Sequence, residues 1–156
     1  MKRMIIGVLS HGATLAIGFG LGVYFLPILT APDAPDAAVL EESARDALFT
    51  AEFSRELRGS DFLHWGEGTI SVTSTQIVHE GALAPGPDYK LYLLAEFVEH
   101  EDEFTPLKAR AALIGDVKTF DGFLVEVPEG VDVTAYSTVV VWCESFGEFI
   151  TSAAYQ

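Results

Sequence analysis

The side chain with the most chemistry open to it is Cys143, which ends the run Ser137-Thr-Val-Val-Val-Trp-Cys-Glu144 and is the only cysteine in the chain. Thiol redox and nucleophilic chemistry proceed through the thiolate, and burial beside Trp142 together with the acidic neighbour Glu144 disfavours that form. Two roles fit this setting. Cys143 is a small apolar residue of a core strand, or it is a thiol that exchanges electrons with a partner or contacts a cofactor. On a strand, alternation puts Cys143 on one face with Val141 and Val139, and Trp142 on the opposite face. One thiol cannot close an intramolecular disulfide, supply a four-Cys zinc site or form the CxxCH of a c-type haem.

The remaining titratable candidates are weaker. His64, His79 and His100 are the possible metal or acid/base groups beyond residue 30, and His100 lies in Glu99-His-Glu-Asp-Glu103 ahead of Pro106. Metal binding there requires several carboxylates to converge, whereas a charge-rich segment between two strands reads as a solvated hairpin tip. His64-Trp65 opens a strand and reads as edge packing. No GxSxG, GxxxxGK[ST], GxGxxG, HExxH or EF-hand loop occurs, and the absence of Asn removes any glycosylation sequon. Hydrolase and nucleotide-binding functions therefore have no support, no metal site is assigned, and no cofactor can be named. No paired nucleophile and base presents itself, so catalysis by the isolated chain is not expected.

The elements that position Cys143 emerge from the distribution of charge. The chain has 156 residues, 9 Lys+Arg against 23 Asp+Glu, and a net charge of −14. Such a surface repels phosphate backbones, which excludes nucleic acid as a partner. Mean hydropathy is nevertheless +0.30, because the apolar residues are gathered at the front. From Met4 to Leu29 there are 26 residues without Asp, Glu, Lys or Arg. As a helix this run extends about 39 Å, long enough to cross a bilayer with some tilt. Lys2 and Arg3 precede it and Asp33 and Asp36 come after it, which predicts a cytoplasmic N-terminus and an exported remainder, periplasmic or extracellular. The length of the run and Pro32 just after Thr30-Ala31 favour an uncleaved anchor over a cleaved signal peptide. Ser10 and Thr14 can bond within the helix ladder. His11 is the costly group: it lies close to the headgroup level, or it contacts another subunit or a cofactor. Gly12, Ala16 and Gly20, with Gly18 and Gly22 as a second pair, recur at a four-residue spacing that permits close helix packing against a copy or a partner.

The anchor is assigned to residues 1–30. Residues 31–58 form a spacer and a short amphipathic helix: APDAPDAA is extended and polar and holds the exported domain off the membrane, and Leu40, Ala44, Ala47, Leu48, Ala51 and Phe53 trace a helical stripe over Val39 to Arg58, ended by Gly59-Ser60. Residues 59–156 form a β domain. Strands are predicted over Thr69–Val78, Tyr89–Val98, Ala111–Lys118, Phe123–Val127, Ser137–Cys143 and Phe146–Ile150, the second of them covered on both faces. Phe120-Asp121-Gly122 carries a hairpin signal, and Pro85-Gly86-Pro87-Asp88 enforces a turn. Six or seven short strands with turns between them predict an antiparallel β-sandwich or barrel-like domain.

Four blocks in order, Gly86-Pro87-Asp88 leading into Leu91-Tyr92-Leu93, Leu113-Ile-Gly-Asp-Val-Lys118, Val125-Glu-Val-Pro128, and Tyr136 through Val139-Val-Val-Trp142-Cys143-Glu144 to Phe146, resemble the DM13 domain family over roughly Gly59 to Tyr155. That resemblance implies a β-rich extracytoplasmic domain, often membrane-tethered, with a redox or electron-transfer role through a C-terminal cysteine. In this chain the role maps onto Cys143, and with no cytochrome-like domain in cis the electron partner is expected in trans. Two function classes remain. One is a redox-linked domain acting through Cys143, which needs a second thiol from elsewhere or reversible sulfenic acid chemistry. The other is a non-catalytic accessory subunit, held in a membrane complex or homo-oligomer by its helix and recruiting a basic partner through its acidic surface. From residue 31 onward 7 basic residues face 23 acidic ones, a charge of −16 that equally suits a salty medium.

Overall fold

The computed structural model describes residues 1–156. It opens with α1 (Lys2–Thr30), a 29-residue helix none of whose residues is buried within the chain. Its length and apolar composition are sufficient to cross a membrane. The polar groups inside it are absorbed as their spacing predicts. Ser10 Oγ donates to the Gly7 carbonyl at 2.9 Å, Thr14 Oγ1 donates to the Ser10 carbonyl at 3.0 Å, and His11 Nδ1 lies 2.8 Å from the Gly7 oxygen. A Cβ added at Gly12, Gly18, Gly20 or Gly22 meets nothing within 4 Å.

Eight strands succeed the helical segment: β1 (Phe49–Phe53), β2 (Gly66–Val72), β3 (Gln76–Leu83), β4 (Tyr89–Leu94), β5 (Ala112–Val117), β6 (Phe123–Glu126), β7 (Thr138–Cys143) and β8 (Glu148–Ala154). They form two four-stranded antiparallel sheets, in the orders β1-β2-β3-β6 and β5-β4-β7-β8, stacked as a β-sandwich. The core between the sheets takes Ile70, Val72, Ile77 and Leu83 from the first and Tyr89, Leu91, Leu93, Val139, Val141 and Cys143 from the second. The outer face of the second sheet is also buried. Tyr92, Leu94, Val140 and Trp142 pack there under Phe104 of a short helix, α3 (Glu101–Leu107). This explains why β4 and β7 read as nearly continuous apolar runs instead of alternating ones.

Several expectations are corrected. The helix after the spacer, α2 (Ala37–Ala44), ends at Ala44 and not at Arg58. Phe49, Ala51 and Phe53 lie on one face at a two-residue period and pack on the inter-sheet core, and this burial outweighs the helical stripe. Thr69–Val78 is two strands, because Thr73 Oγ1 accepts from the backbone N–H groups of Thr75 and Gln76 and closes a turn. Phe120-Asp121-Gly122 does not form a hairpin. Gly122 (φ +87°) turns the chain from β5 on the edge of one sheet to β6 on the edge of the other. Glu99–Glu103 is not a hairpin tip either: His100 caps α3 by accepting from Asp102 N–H, and Arg58 pairs with Asp102 and Glu103 at 2.6 and 2.8 Å. Asp33 and Pro35 of the spacer lie along Gly115, Asp116 and Glu126 at the sandwich edge.

His79, fully buried on the inward face of β3, packs between Phe53 and Phe123 at ring distances of 5.2 and 4.9 Å. Its Nε2 lies 3.0 Å from the Glu67 carbonyl and must donate to it, which leaves Nδ1 buried without a partner. This is a core histidine and not a metal ligand. Burial depresses its pKa below the ordinary 6.5, outweighing the bond to Glu67. The unfolded chain therefore takes up a proton below about 6.5 that the folded chain refuses, so stability is full above that value and falls as pH drops through it. The melting temperature is expected to decline between about pH 6.5 and 5.5, with the slope reduced in His79→Leu. An unchanged slope would assign the proton uptake to other groups.

Candidate functional site

The site is a junction between two segments more than fifty residues apart. The loop Pro85–Asp88 crosses from β3 in one sheet to β4 in the other, and β4 pairs with β7 so that Tyr89 stands opposite Cys143. Cys143 closes β7, and the turn after it is held by Gly147 N–H donating to the Cys143 carbonyl at 2.9 Å with Gly147 at φ +68°. Bonds lace this turn to the crossover loop. Cys143 Sγ donates to the Pro87 carbonyl at 3.1 Å, Glu144 N–H donates to the Asp88 carbonyl at 3.0 Å, and Ser145 Oγ donates to Asp88 Oδ2 at 3.0 Å. Asp88 adopts φ +55°, a left-handed conformation that Asp tolerates better than most non-glycine residues. Gly86 is required for a different reason: a Cβ there would strike the Tyr89 hydroxyl, which itself donates to the Ala84 carbonyl at 3.0 Å.

Gly86, Pro87 and Asp88 thus meet Cys143 and the turn after it, with Trp142 beside Cys143 on the opposite face of β7, and the three consecutive residues Trp142, Cys143 and Glu144 serve three environments. Cys143 faces the inter-sheet core and is 3% exposed. Trp142 faces the opposite layer, its ring 5.0 Å from Phe104, and its buried indole N–H has no partner. The Glu144 carboxylate accepts from the Tyr92 hydroxyl and from Lys108 Nζ, the latter at 2.5 Å, while the Lys108 ammonium also lies 5.5 Å from the Trp142 ring. Burial works against the Glu144 carboxylate, but Lys108 and Tyr92 overcome it and hold its carboxyl below the ordinary range. Sequence reasoning missed Tyr89, Tyr92, Lys108 and Phe104. Tyr89 comes directly after the Gly-Pro-Asp turn and was within reach of it. Phe104 belongs to a helix whose sequence resembles a charged loop, and Lys108 begins the turn that comes directly after it; nothing in the local pattern indicates that this segment covers a sheet.

Burial pushes the Cys143 thiol up, and Asp88 and Glu148 add to this, while the backbone N–H groups of Phe146 and Ser145 favour the thiolate without reversing the shift. The thiol is in its protonated form at neutral pH. It is not sealed, however, because it contributes to the wall of a cleft of about 630 Å³ between the sandwich and α1, shared with Phe19, Tyr24, Phe62, Pro87 and Phe146. Alkylation of Cys143 in the folded protein is expected to be slow near neutrality and to rise with a midpoint above that of the unfolded chain, measured as rate against pH. A native midpoint at or below the unfolded one would mean that the turn N–H groups outweigh burial. His64 shares the wall of that cleft with Cys143 and bonds Asp61, whereas His100 bonds Asp102 beside Glu101 and takes no part in the cleft, and no group of three or more His, Cys, Asp and Glu side chains is arranged to hold a metal ion.

Residues 56–155 match the family model described as Electron transfer DM13. No curated protein and no solved structure matches the chain.

Proposed function

The chain belongs to the DM13 family, and from that premise we propose that it is a membrane-anchored, extracytoplasmic electron-transfer accessory whose redox group is the Cys143 thiol. The observation that carries the proposal is the setting of that thiol: the only one in the chain, held between the Pro87 carbonyl and the N–H groups of Ser145 and Phe146, on the wall of an open apolar cleft. In the exchange this setting supports, Cys143 gives its proton to water and its sulfur bonds to one sulfur of a partner's disulfide. The partner's S–S bond breaks and its second sulfur leaves as a thiolate. A donor thiol then attacks the acceptor sulfur of this mixed disulfide and displaces Cys143, and a second thiol of the donor displaces that acceptor sulfur, so that over one cycle two donor thiols become a disulfide and the acceptor disulfide becomes two thiols. The raised pKa makes the resting thiol slow with adventitious oxidants. Under the positive-inside rule Lys2 and Arg3 keep the N-terminus cytoplasmic and the sandwich outside.

Full-length protein in nanodiscs, treated with a small aromatic disulfide such as dipyridyl disulfide and monitored by intact mass, tests this. Expected is one adduct on Cys143, removed by dithiothreitol and absent from Cys143→Ser. If the native protein forms none while the denatured protein reacts to completion, the thiol has no redox role.

A second function is favoured by the charge of −16 beyond residue 30. Glu80, Asp121, Glu126 and Glu129 form no ion pair with any group of the chain, leaving a surface suited to a basic partner with salt-sensitive association. In that case the chain is an assembly or recruiting subunit, held to a partner or a second copy by the Gly12/Ala16/Gly20 face of α1.

A further inference from the structure

We infer that the rim of the Cys143 cleft is a lipid-contact surface, seating the sandwich on the outer leaflet so that the thiol is approached from the headgroup and acyl boundary instead of from bulk water. The inference rests on the proposal that α1 spans a bilayer. About 20 helical residues cross the hydrocarbon, which from Met4 brings the boundary to the region of Val23. The part of α1 that shares the cleft with the sandwich is Phe19–Phe25, at that same depth. Whatever lies across from these residues is therefore level with the edge of the hydrocarbon and cannot face bulk water unless the helix moves.

The sandwich surface across from them is mostly apolar, with His64 and Glu148 as its polar members. Phe62 is 89% exposed, and Leu63 and Phe146 are each about half exposed, yet all three face one cleft. Other exposed apolar residues of the sandwich, such as Leu113 and Phe97, contribute to no wall of that cleft, which is ordinary for scattered surface residues. Tyr24 and Trp65 join Phe62 in an adjoining hollow, where the Arg55 guanidinium lies 3.3 Å over the Trp65 ring and Asp61 lines the same wall, so the aromatic rings have a charged, wetted edge where the helix leaves the hydrocarbon. Aromatic side chains collect at that depth because one part of the ring system is wetted and the other is not. The occupant is therefore lipid and not a protein groove partner. Its attraction is apolar, because a domain so rich in carboxylates gains nothing from anionic headgroups.

The test places single cysteines in a full-length Cys143→Ser background reconstituted in zwitterionic nanodiscs: Phe62→Cys, Phe146→Cys, Leu113→Cys as an aqueous reference and Leu15→Cys as the mid-helix reference. Each carries a nitroxide, and its collision rates with oxygen and with a water-soluble nickel chelate are compared. Phe62 is too exposed for its replacement to disturb folding. The expected result is that Phe62→Cys and Phe146→Cys share the lipid-like accessibility ratio of Leu15→Cys, several-fold above that of Leu113→Cys, and keep it in high salt. Water-like ratios at Phe62 and Phe146 with a lipid-like Leu15 overturn the seating while leaving the anchor intact. A water-like Leu15 overturns the anchor and the seating together.

Discussion

Phe104→Ala lowers the unfolding free energy by about 3–5 kcal/mol, the cost of truncating a well-packed core aromatic. Phe104 is fully buried and stands between Tyr92 and Trp142 at ring distances of 5.4 and 5.0 Å. It comes from α3, the helix that covers the outer face of the second sheet, so no neighbouring element can close the gap. The cavity would open beside Trp142 and beneath the Lys108–Glu144 pair, on the reverse side of the strand that carries Cys143. Phe104→Leu, which keeps most of the apolar volume, is expected to cost under about 1.5 kcal/mol. Denaturant midpoints measure both, and Trp142 fluorescence reports the local change. A loss below about 1 kcal/mol for the alanine variant would mean that α3 is not packed on the sheet.

Asp88→Val costs about 2–3 kcal/mol, from forcing a β-branched residue into a left-handed conformation and from losing the bond from Ser145. The exposed contact between Lys90 and Asp88 at 3.2 Å contributes little to this. Two companions separate the causes. Asp88→Gly relieves the φ of +55° and forfeits only the side-chain bonds, and Asp88→Asn keeps most of both. The order Val, Gly, Asn in decreasing destabilisation is expected from thermal melts. Because Asp88 ties the crossover loop to the turn after Cys143, the valine variant also frees the Pro87 carbonyl from the thiol and speeds alkylation in the native state. Equal stability of the Val and Gly variants would show that backbone conformation at Asp88 carries no cost.

The parts of this architecture legible in the sequence are those fixed by local periodicity. Val139-Val-Val-Trp-Cys143 alternates correctly between two buried faces, and the unbroken apolar run from Met4 marks α1. The features that escaped were decided at long range. Phe49–Phe53 has a helical neighbour and helix-compatible residues, and becomes a strand because β2 offers it a ladder and the core takes Phe53. Gly122 has the sequence of a hairpin turn, but the faces to be buried on β5 and β6 belong to different sheets. The acidic segment around His100 conceals a capped helix because its one essential apolar residue, Phe104, is a single position amid charges. For the site, Gly86-Pro87-Asp88 and Trp142-Cys143-Glu144 were each recognisable as motifs. Their contact arises from the pairing of β4 with β7, which no spacing along the chain specifies.

The most direct test of a redox role for Cys143 is labelling of the thiol in native membranes isolated without detergent. A membrane-permeant maleimide at mildly alkaline pH is applied with and without prior reductant, with Cys143→Ser as the control. Labelling that depends on the reductant is the expected result, since it means the sulfur is held in an oxidised or mixed-disulfide form where it works. Labelling that appears only after denaturation, whether or not reductant was added, contradicts the redox role and leaves Cys143 as a packed core residue of a recruiting subunit.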